Sequence, residues 1–539
     1  MPACRILFAI MPEKETTAHA ALPTEEPAQA RNQTEVFAVF GADPEVLAYA
    51  MAKYSRSALS MKDSLREISS QRAEQFLNTF YFQYGHRSIA DLAHVAFAVE
   101  RLSLAAAIVL LDEQRWDGQE RSTRYQNFSK SGWYLPEFGS AGQPRQLYKD
   151  TMAALFREYH TTAEAMFVFL REKTAKPDEM KQDAFDRTLR ARAFDVARYL
   201  LPLATNTSLG QIVNARTLES QVSRLLSHPA AEIRELGLRL KEAAAGAAWN
   251  VQHEQLAVLQ AEIAVLDPAM GAKARDLLMR DVKTAPTLVK YATPNAYAIE
   301  TRRDLAQAAA ALMKNEPIAV APVVDLVEPT ESLEVELATT LLYAVCHYPY
   351  RQLLQHVAAL TAAEQEEIVD MGLRRRGKHD ELLREYSGGQ SLRFDILMDI
   401  GGFRDMHRHR KCTQILQPFT SAHGFEVPDS LTEAGLRRPY EAAMSEAHAA
   451  YAKIAHSQAP EAEESAKYVL PLGTRNRALF KMDYAEALYI AELRSSPQGH
   501  FSYRRVAWEM YQAVALQHPT LAKYFRIDDV HAPVDLLKR

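Results

Sequence analysis

A chain of 539 residues is far longer than one ordinary domain, so at least two compact units are expected, each with its own core. Hydrophobic residues make up 47% of it, with only 20 glycines and 25 prolines, which excludes a chain disordered throughout and favours helices over a turn-rich all-β fold. The formal charge of -5, from 63 basic and 68 acidic residues, gives no overall field for nucleic acid, so any anion site has to be local.

Residues 1–33 are rich in Ala, Pro, Glu and Thr without sustained periodicity and are expected to form a flexible leader. Val36–Phe40 is a short β-type run, and Gly41-Ala42-Asp43-Pro44 after it suits a helix start with proline in the first turn. Ser64–Tyr84 has the apolar spacing of an amphipathic helix. Next, Ser88-x-x-Asp91 ahead of an apolar run has the spacing of a capping box and predicts a helix start. Val95–Val99 suits a strand or a buried helix, and Leu102–Leu111 is a strongly apolar helix that delivers the polar stretch Asp112 to Tyr125. Long helices are expected over Leu147–Arg171 and Met180–Leu201.

An Ala- and Leu-rich helical stretch to Val265 and a turn at Asp267-Pro268 close a first unit, giving expected domains at 34–270 and 280–530. Thr287–Tyr297 loosely repeats the strand and turn of Val36–Leu47, Ser332–Val345 is a helix, and the basic run Arg374–His379 is a solvated loop. The apolar segment from Phe394 then leads into Met406-His407-Arg408-His409-Arg410-Lys411-Cys412-Thr413, whose five potentially cationic side chains would repel one another and suggest a bound anion. Ala466-Lys467-Tyr468-Val469-Leu470-Pro471-Leu472 repeats Ala197-Arg198-Tyr199-Leu200-Leu201-Pro202-Leu203 with five identities in seven, which marks an internal duplication. Cys4, Cys346 and Cys412 are too few and too scattered for a disulfide framework or a Cys-rich zinc site, which fits a cytoplasmic protein without a metal. No run approaches the roughly 20 apolar residues of a membrane span.

Arg408-His409-Arg410 resembles the opening of the signature RHRxxSxNExSxRY of the flavin-dependent thymidylate synthases, and Glu120-x-Ser122-x-Arg124-Tyr125 resembles its close. Each half holds what the other lacks. Asp112, Glu113 and Gln114 stand where the first half should have its RHR, while Ile415, Leu416, Pro418 and Thr420 stand where the second should have its N, E, S and R. His86-x-Ser88-x-x-Asp91 is similar to the family's H-x-S-x-x-E-H, and Asn214-x-Arg216-x-Leu218 to its N-x-R-x-L. Ala197-Arg198-x-x-Leu201-Pro202 is similar to its A-R-x-x-L-P, and Leu493-Arg494 to a Leu-Arg that the first half lacks, where Leu225 follows Arg224.

The resemblance implies an α+β fold of two diverged copies, each a helix-rich domain with a small mostly antiparallel sheet, packed as a pseudo-dimer. It implies reductive methylation of dUMP to dTMP with FAD as cofactor and NADPH and methylenetetrahydrofolate as co-substrates. By the same resemblance Arg494 and Arg408 are catalytic, and His86, Ser88, Asp91, Asn214, Arg408, His409 and Arg410 hold the cofactor. Glu120, Ser122, Arg124, Arg198 and Arg494 hold the nucleotide. The family assembles as four subunits, so a duplicated chain is expected as a homodimer, with small-molecule partners and neither nucleic acid nor membrane. The alternative is a flavin- or nucleotide-binding pseudoenzyme of the same fold.

Overall fold

The computed structural model describes residues 39, 41–53, 65, 87–328, 332–377, 380 and 382–537. The leader, the Val36–Phe40 run and the Ser64–Tyr84 helix lie almost wholly outside them. Asp43–Arg539 forms one compact unit, and of the other, Met1–Ala42, only Val39, Gly41 and Ala42 are described.

The class is α+β, with two small antiparallel sheets among many helices. The first sheet has the order β1-β3-β2, with β1 at His94–Ser103, β2 at Asp117–Glu120 and β3 at Asn206–Asn214. The second has the order β4-β5-β7-β6, from Val324–Leu326, Leu392–Asp399, Thr413–Leu416 and Arg475–Met482. Alternation explains β5 and β7: Phe394, Ile396 and Phe480 enter an apolar core, while Arg393, Asp395, Arg477 and Lys481 are also buried, as ion pairs.

A short helix follows β1 in the first half and β5 in the second. Leu104–Leu111 is capped by Ser103, whose Oγ accepts from Ala106 N at 2.9 Å, and Ile400–Met406 by Asp399, which accepts from Gly402 N at 2.6 Å. Each cap has a third partner, with the chemistry exchanged. Ser103 donates its backbone N–H and its hydroxyl to the carboxylate of Glu232 at 2.8 and 2.6 Å, whereas Asp399 is itself the carboxylate and accepts from the hydroxyl of Ser502.

The halves meet at Pro202 and Pro471, which form an antiparallel bridge. Around it every hydrogen bond has a twin: Leu203 N donates to Leu470 O and Leu472 N to Leu201 O, both at 2.9 Å, as do Ala204 N to Tyr468 O and Gly473 N to Tyr199 O. A Cβ at Gly473 would lie 2.5 Å from the Tyr440 hydroxyl and 3.1 Å from Tyr199 Cβ, so this approach needs glycine. The long helices Gly142–Lys173 and Arg437–Ala455 contribute Tyr148, Met152 and Leu155 and Tyr440, Met444 and Ile454 to one core that both halves share.

Three sequence expectations change. Ser88 and Asp91 do not open an α-helix: Arg87–Leu92 is a single 3-10 segment that feeds β1, because the apolar run after it pairs with β3. Thr287–Tyr297 is no strand but a series of turns entering the helix Ala296–Leu312, with Glu45 accepting from Thr287 N and Leu288 N at 2.9 Å. Asp267 does not end the helical stretch, since it caps a further helix, Pro268–Leu278.

Candidate functional site

The site grows from residues that the chain delivers at the ends of these elements. Beyond β2, Arg124 reaches Asp195 on the helix Gln182–Ala197, and the helix Ile400–Met406 brings Arg404, Asp405 and the basic run in from the other half.

At the centre stands Asp195, which is buried. It accepts from Arg124 Nε at 2.9 Å and Nη2 at 3.3 Å, lies 3.4 Å from Arg198 Nε and is 3.0 Å from His500 Nδ1. Burial alone would raise its carboxyl, but His500, Arg198 and Arg124 outweigh that and hold it well below the usual carboxylate range. Arg198, only 2% exposed, reaches across to Asp405 Oδ2 at 3.5 Å and to the Thr123 hydroxyl at 3.4 Å. The same hydroxyl accepts from Arg404 at 3.1 Å, and Arg404 also grips Glu120. Asp405 faces Arg408 at 3.8 Å. Burial would raise this carboxyl too, but Arg198, Arg408, Arg124 and Arg494 outweigh it.

Arg124 and Arg408 therefore belong to one network. Tyr503 completes it, accepting from Arg124 Nη1 at 3.0 Å while the Arg494 guanidinium lies 5.4 Å from its ring. Five guanidiniums, of Arg124, Arg198, Arg404, Arg408 and Arg494, face three carboxylates, of Glu120, Asp195 and Asp405. Arg198 Nε and Nη2 and Arg404 Nε are buried without a hydrogen-bond partner among the described residues. Asp405 Oδ2 likewise makes none, being held by its ion pair alone. A buried guanidinium with spare donors and excess positive charge suits an added anion.

The basic run is less cationic than its composition suggests. His409 accepts from Arg494 Nε at its Nε2, 2.8 Å away, so that nitrogen carries no proton and the ring is neutral. Burial, with Arg494 and Arg408 alongside, pushes His409 down to about 3. His407 is buried with Nδ1 2.9 Å from Gln414 Oε1, and burial lowers it as well. Three charges remain from the expected five, those of Arg408, Arg410 and Lys411. Between pH 6.5 and 3 the unfolded chain takes up a proton at His409 that the folded chain refuses, so this residue removes stability as the pH falls, by about 1.4 kcal/mol per pH unit. Urea unfolding at pH 7 and pH 5 should show His409→Gln losing less stability on acidification than the wild-type chain.

On the expected cofactor side, Arg410 donates to Trp116 O and lies 4.4 Å over the Trp116 ring, its Nε making no hydrogen bond among the described residues. Arg115, the next residue back, meets Asp91 at 3.4 Å, and Asp91 meets Arg216 at 3.4 Å. Asn214 accepts from Thr217 N at 2.8 Å as the cap of the helix Ala215–Leu226. Asp91, Asn214 and Arg410 thus lie along one line of contacts leading from this helix to the basic run. His86 and the side chain of Ser88 lie outside the described residues. Ser122 accepts from Arg124 N at 3.2 Å, which shapes the turn. Cys412 is buried with its thiol pushed up to about 12 by burial, so it stays protonated.

Sequence reasoning missed Asp195, Thr123, Arg404, His500 and Tyr503. Of these only Asp195 carried a local signal, one helical turn before Arg198.

The family model described as "Thymidylate synthase complementing protein" matches residues 38–248 and again 334–520. The chain belongs to that family. It carries the family's domain twice, as tandem and diverged copies. Among curated relatives, it is 26% identical to a UPF0159 protein of Chlamydia muridarum over 521 residues, covering 90% of each chain. It is 24% identical to a UPF0159 protein of Thermoplasma acidophilum over 519 residues, 89% of this chain and 94% of the other. A flavin-dependent thymidylate synthase of Clostridium tetani is 24% identical over 177 residues, 33% of this chain and 67% of that one. Among the described residues no helix is long and apolar enough to cross a membrane.

Proposed function

We propose that this chain is a working flavin-dependent thymidylate synthase that methylates dUMP reductively, with FAD as cofactor and methylenetetrahydrofolate and NADPH as co-substrates. The observation that carries the reading is the convergence of Arg124 and Arg198 from the first half with Arg408 and Arg494 from the second around Asp405. The phosphate of dUMP carries close to two negative charges, and the excess of two guanidiniums over carboxylates balances it. Arg198 offers its Nη2, which makes no hydrogen bond among the described residues, and Arg124, whose fork is taken by Asp195, adds its charge, with Glu120 and Ser122 bordering the same site. Thr123 and Asp195 hold those guanidiniums in place.

On the flavin side the donors fit an anionic aromatic group: Arg408 is half exposed, Arg410 has an unused Nε donor, and the Trp116 ring lies beneath it. His86, Ser88, Asp91 and Asn214 would complete the cofactor's contacts. When bound, reduced FAD supplies the hydride. Neutral His409 accepts from Arg494 and so fixes the orientation of that guanidinium, while the protonated Cys412 thiol is no nucleophile. The reading takes 34–270 and 280–530 as the two copies, a cytoplasmic homodimer as the assembly, and small molecules as the partners.

The test is the absorption spectrum of the purified protein, followed by tritium release from labelled dUMP with NADPH and methylenetetrahydrofolate. A flavin spectrum and release that needs both co-substrates are expected, with Arg408→Ala losing flavin while staying folded. Flavin without release would give the pseudoenzyme reading instead, and neither flavin nor dUMP binding would overturn both.

A further inference from the structure

The two-fold pairing at Pro202 and Pro471 relates the candidate site to a second position, and there the chain has a cavity of about 2020 Å3 lined by both halves. Asp112, Glu113, Arg224, Arg384, Glu464 and Lys467 all line it. Asp112 and Glu113 hold the places that Arg408 and His409 hold in the other copy, and Lys467 holds the place of Arg198.

The charges are arranged differently from those of the candidate site. Arg384 grips Asp112 through its carboxylate and, at 2.9 Å, its backbone carbonyl. Arg224 holds Glu113 Oε1 with Nε at 3.0 Å and Nη2 at 2.6 Å. Lys467 meets Glu464 at 2.5 Å. These three pairs are balanced, and so is the whole lining of the cavity, with seven Arg and Lys against seven Asp and Glu, where the candidate site has five cations against three carboxylates. Burial alone would raise the Asp112 carboxyl, but Arg384 and Arg224 outweigh it, so it stays ionised, whereas at Glu113 burial outweighs Arg224 and raises the carboxyl.

We infer that this cavity is a latent anion site, in which the chain's own Asp112 and Glu113 supply the negative charge that a bound phosphate supplies in the candidate site. The wild-type chain then takes one nucleotide, not two, and neutralising the two carboxylates opens the second place to a phosphate-bearing ligand. The inference rests on the nucleotide reading for the choice of probe; the charge pairing stands without it.

Equilibrium dialysis with radiolabelled dUMP tests it. The wild-type chain is expected to saturate at one per chain, and Asp112→Asn/Glu113→Gln at two, with inorganic phosphate competing at the added place. The amides keep the shape and the acceptor oxygens that Arg224 and Arg384 use, so the fold should hold, which circular dichroism checks. A folded double variant with no added site would overturn the inference, as would two sites in the wild-type chain. A wild-type count of zero with one site in the double variant would uphold it and sink the nucleotide reading of the candidate site. A second variant works without touching the pairs: Arg198→Gln in the wild-type background should weaken the single site about 10- to 100-fold, and an unchanged affinity at one site per chain would show that the nucleotide already sits in the cavity and that the cavity is not latent.

Discussion

Replacing Arg198 with alanine is expected to weaken dUMP binding by about 10- to 100-fold, the loss of one charge-assisted contact of about 1.5–3 kcal/mol. The guanidinium is 2% exposed and stands between Asp195 and Asp405, with its Nη2 making no hydrogen bond among the described residues. Stability should fall in the same variant, because two buried carboxylates lose a shared counter-charge; breaking a buried pair costs up to about 3–5 kcal/mol. Arg124, His500 and Arg408 still flank those carboxylates, so the loss should sit at the lower end. Arg198→Lys separates the two effects. It keeps the charge but not the planar fork, so the fold should hold while affinity drops. Calorimetric titration with dUMP and urea unfolding on the same preparations give both numbers, and an unchanged Kd in the alanine variant would remove Arg198 from the nucleotide site.

The second large effect is on stability alone. Asp395 is fully buried and accepts from the Tyr343 hydroxyl at 2.7 Å, Tyr350 N at 2.8 Å and Arg477 Nη1 at 2.9 Å. Asp395→Ala leaves Arg477, 2% exposed, as an uncompensated charge beneath the helices Leu333–Tyr343 and Tyr350–Ala358. The cost should be about 3–5 kcal/mol, a large part of the 5–15 kcal/mol that holds a typical fold. Tyr343→Phe removes one hydrogen bond and should cost only about 0.5–1.5 kcal/mol. A urea series across Asp395→Ala, Asp395→Asn and Tyr343→Phe should rank in that order, and an unmoved midpoint in the alanine variant would mean that Arg477 is not held by this pair.

The parts legible in the sequence were those written in local order. Arg408-His409-Arg410, Glu120-x-Ser122-x-Arg124 and the repeated Leu-Pro-Leu carry their own spacing, and the folded chain brings the first two into one network. The α+β class followed from the same fragments. What stayed hidden depends on distant neighbours. His500 and Tyr503 belong to no motif, yet they touch Asp195 and Arg124 from more than 300 positions away. The charge of His409 could not be read from a run of basic letters, because a donor from Arg494 and burial together decide it. Asp91 has the spacing of a cap, but strand pairing of the segment after it prevailed over local preference.

The exchange at the helix caps constrains how the gene itself can change. Tandem copies tend to be homogenised when one overwrites the other, and here a patch copied across would break a chemical pairing. Writing the second half's aspartate at position 103 would set two carboxylates against each other at the distance where Ser103 now meets Glu232, 2.6 Å, and one of them would have to stay protonated. Writing serine at position 399 would leave two hydroxyls at the other cap, without the carboxylate that Gly402 N and Ser502 now share. Each half is locked to its own partner by that reciprocity. Divergence, once it reached these caps, was therefore hard to reverse by single exchanges, and the two halves became free to specialise apart.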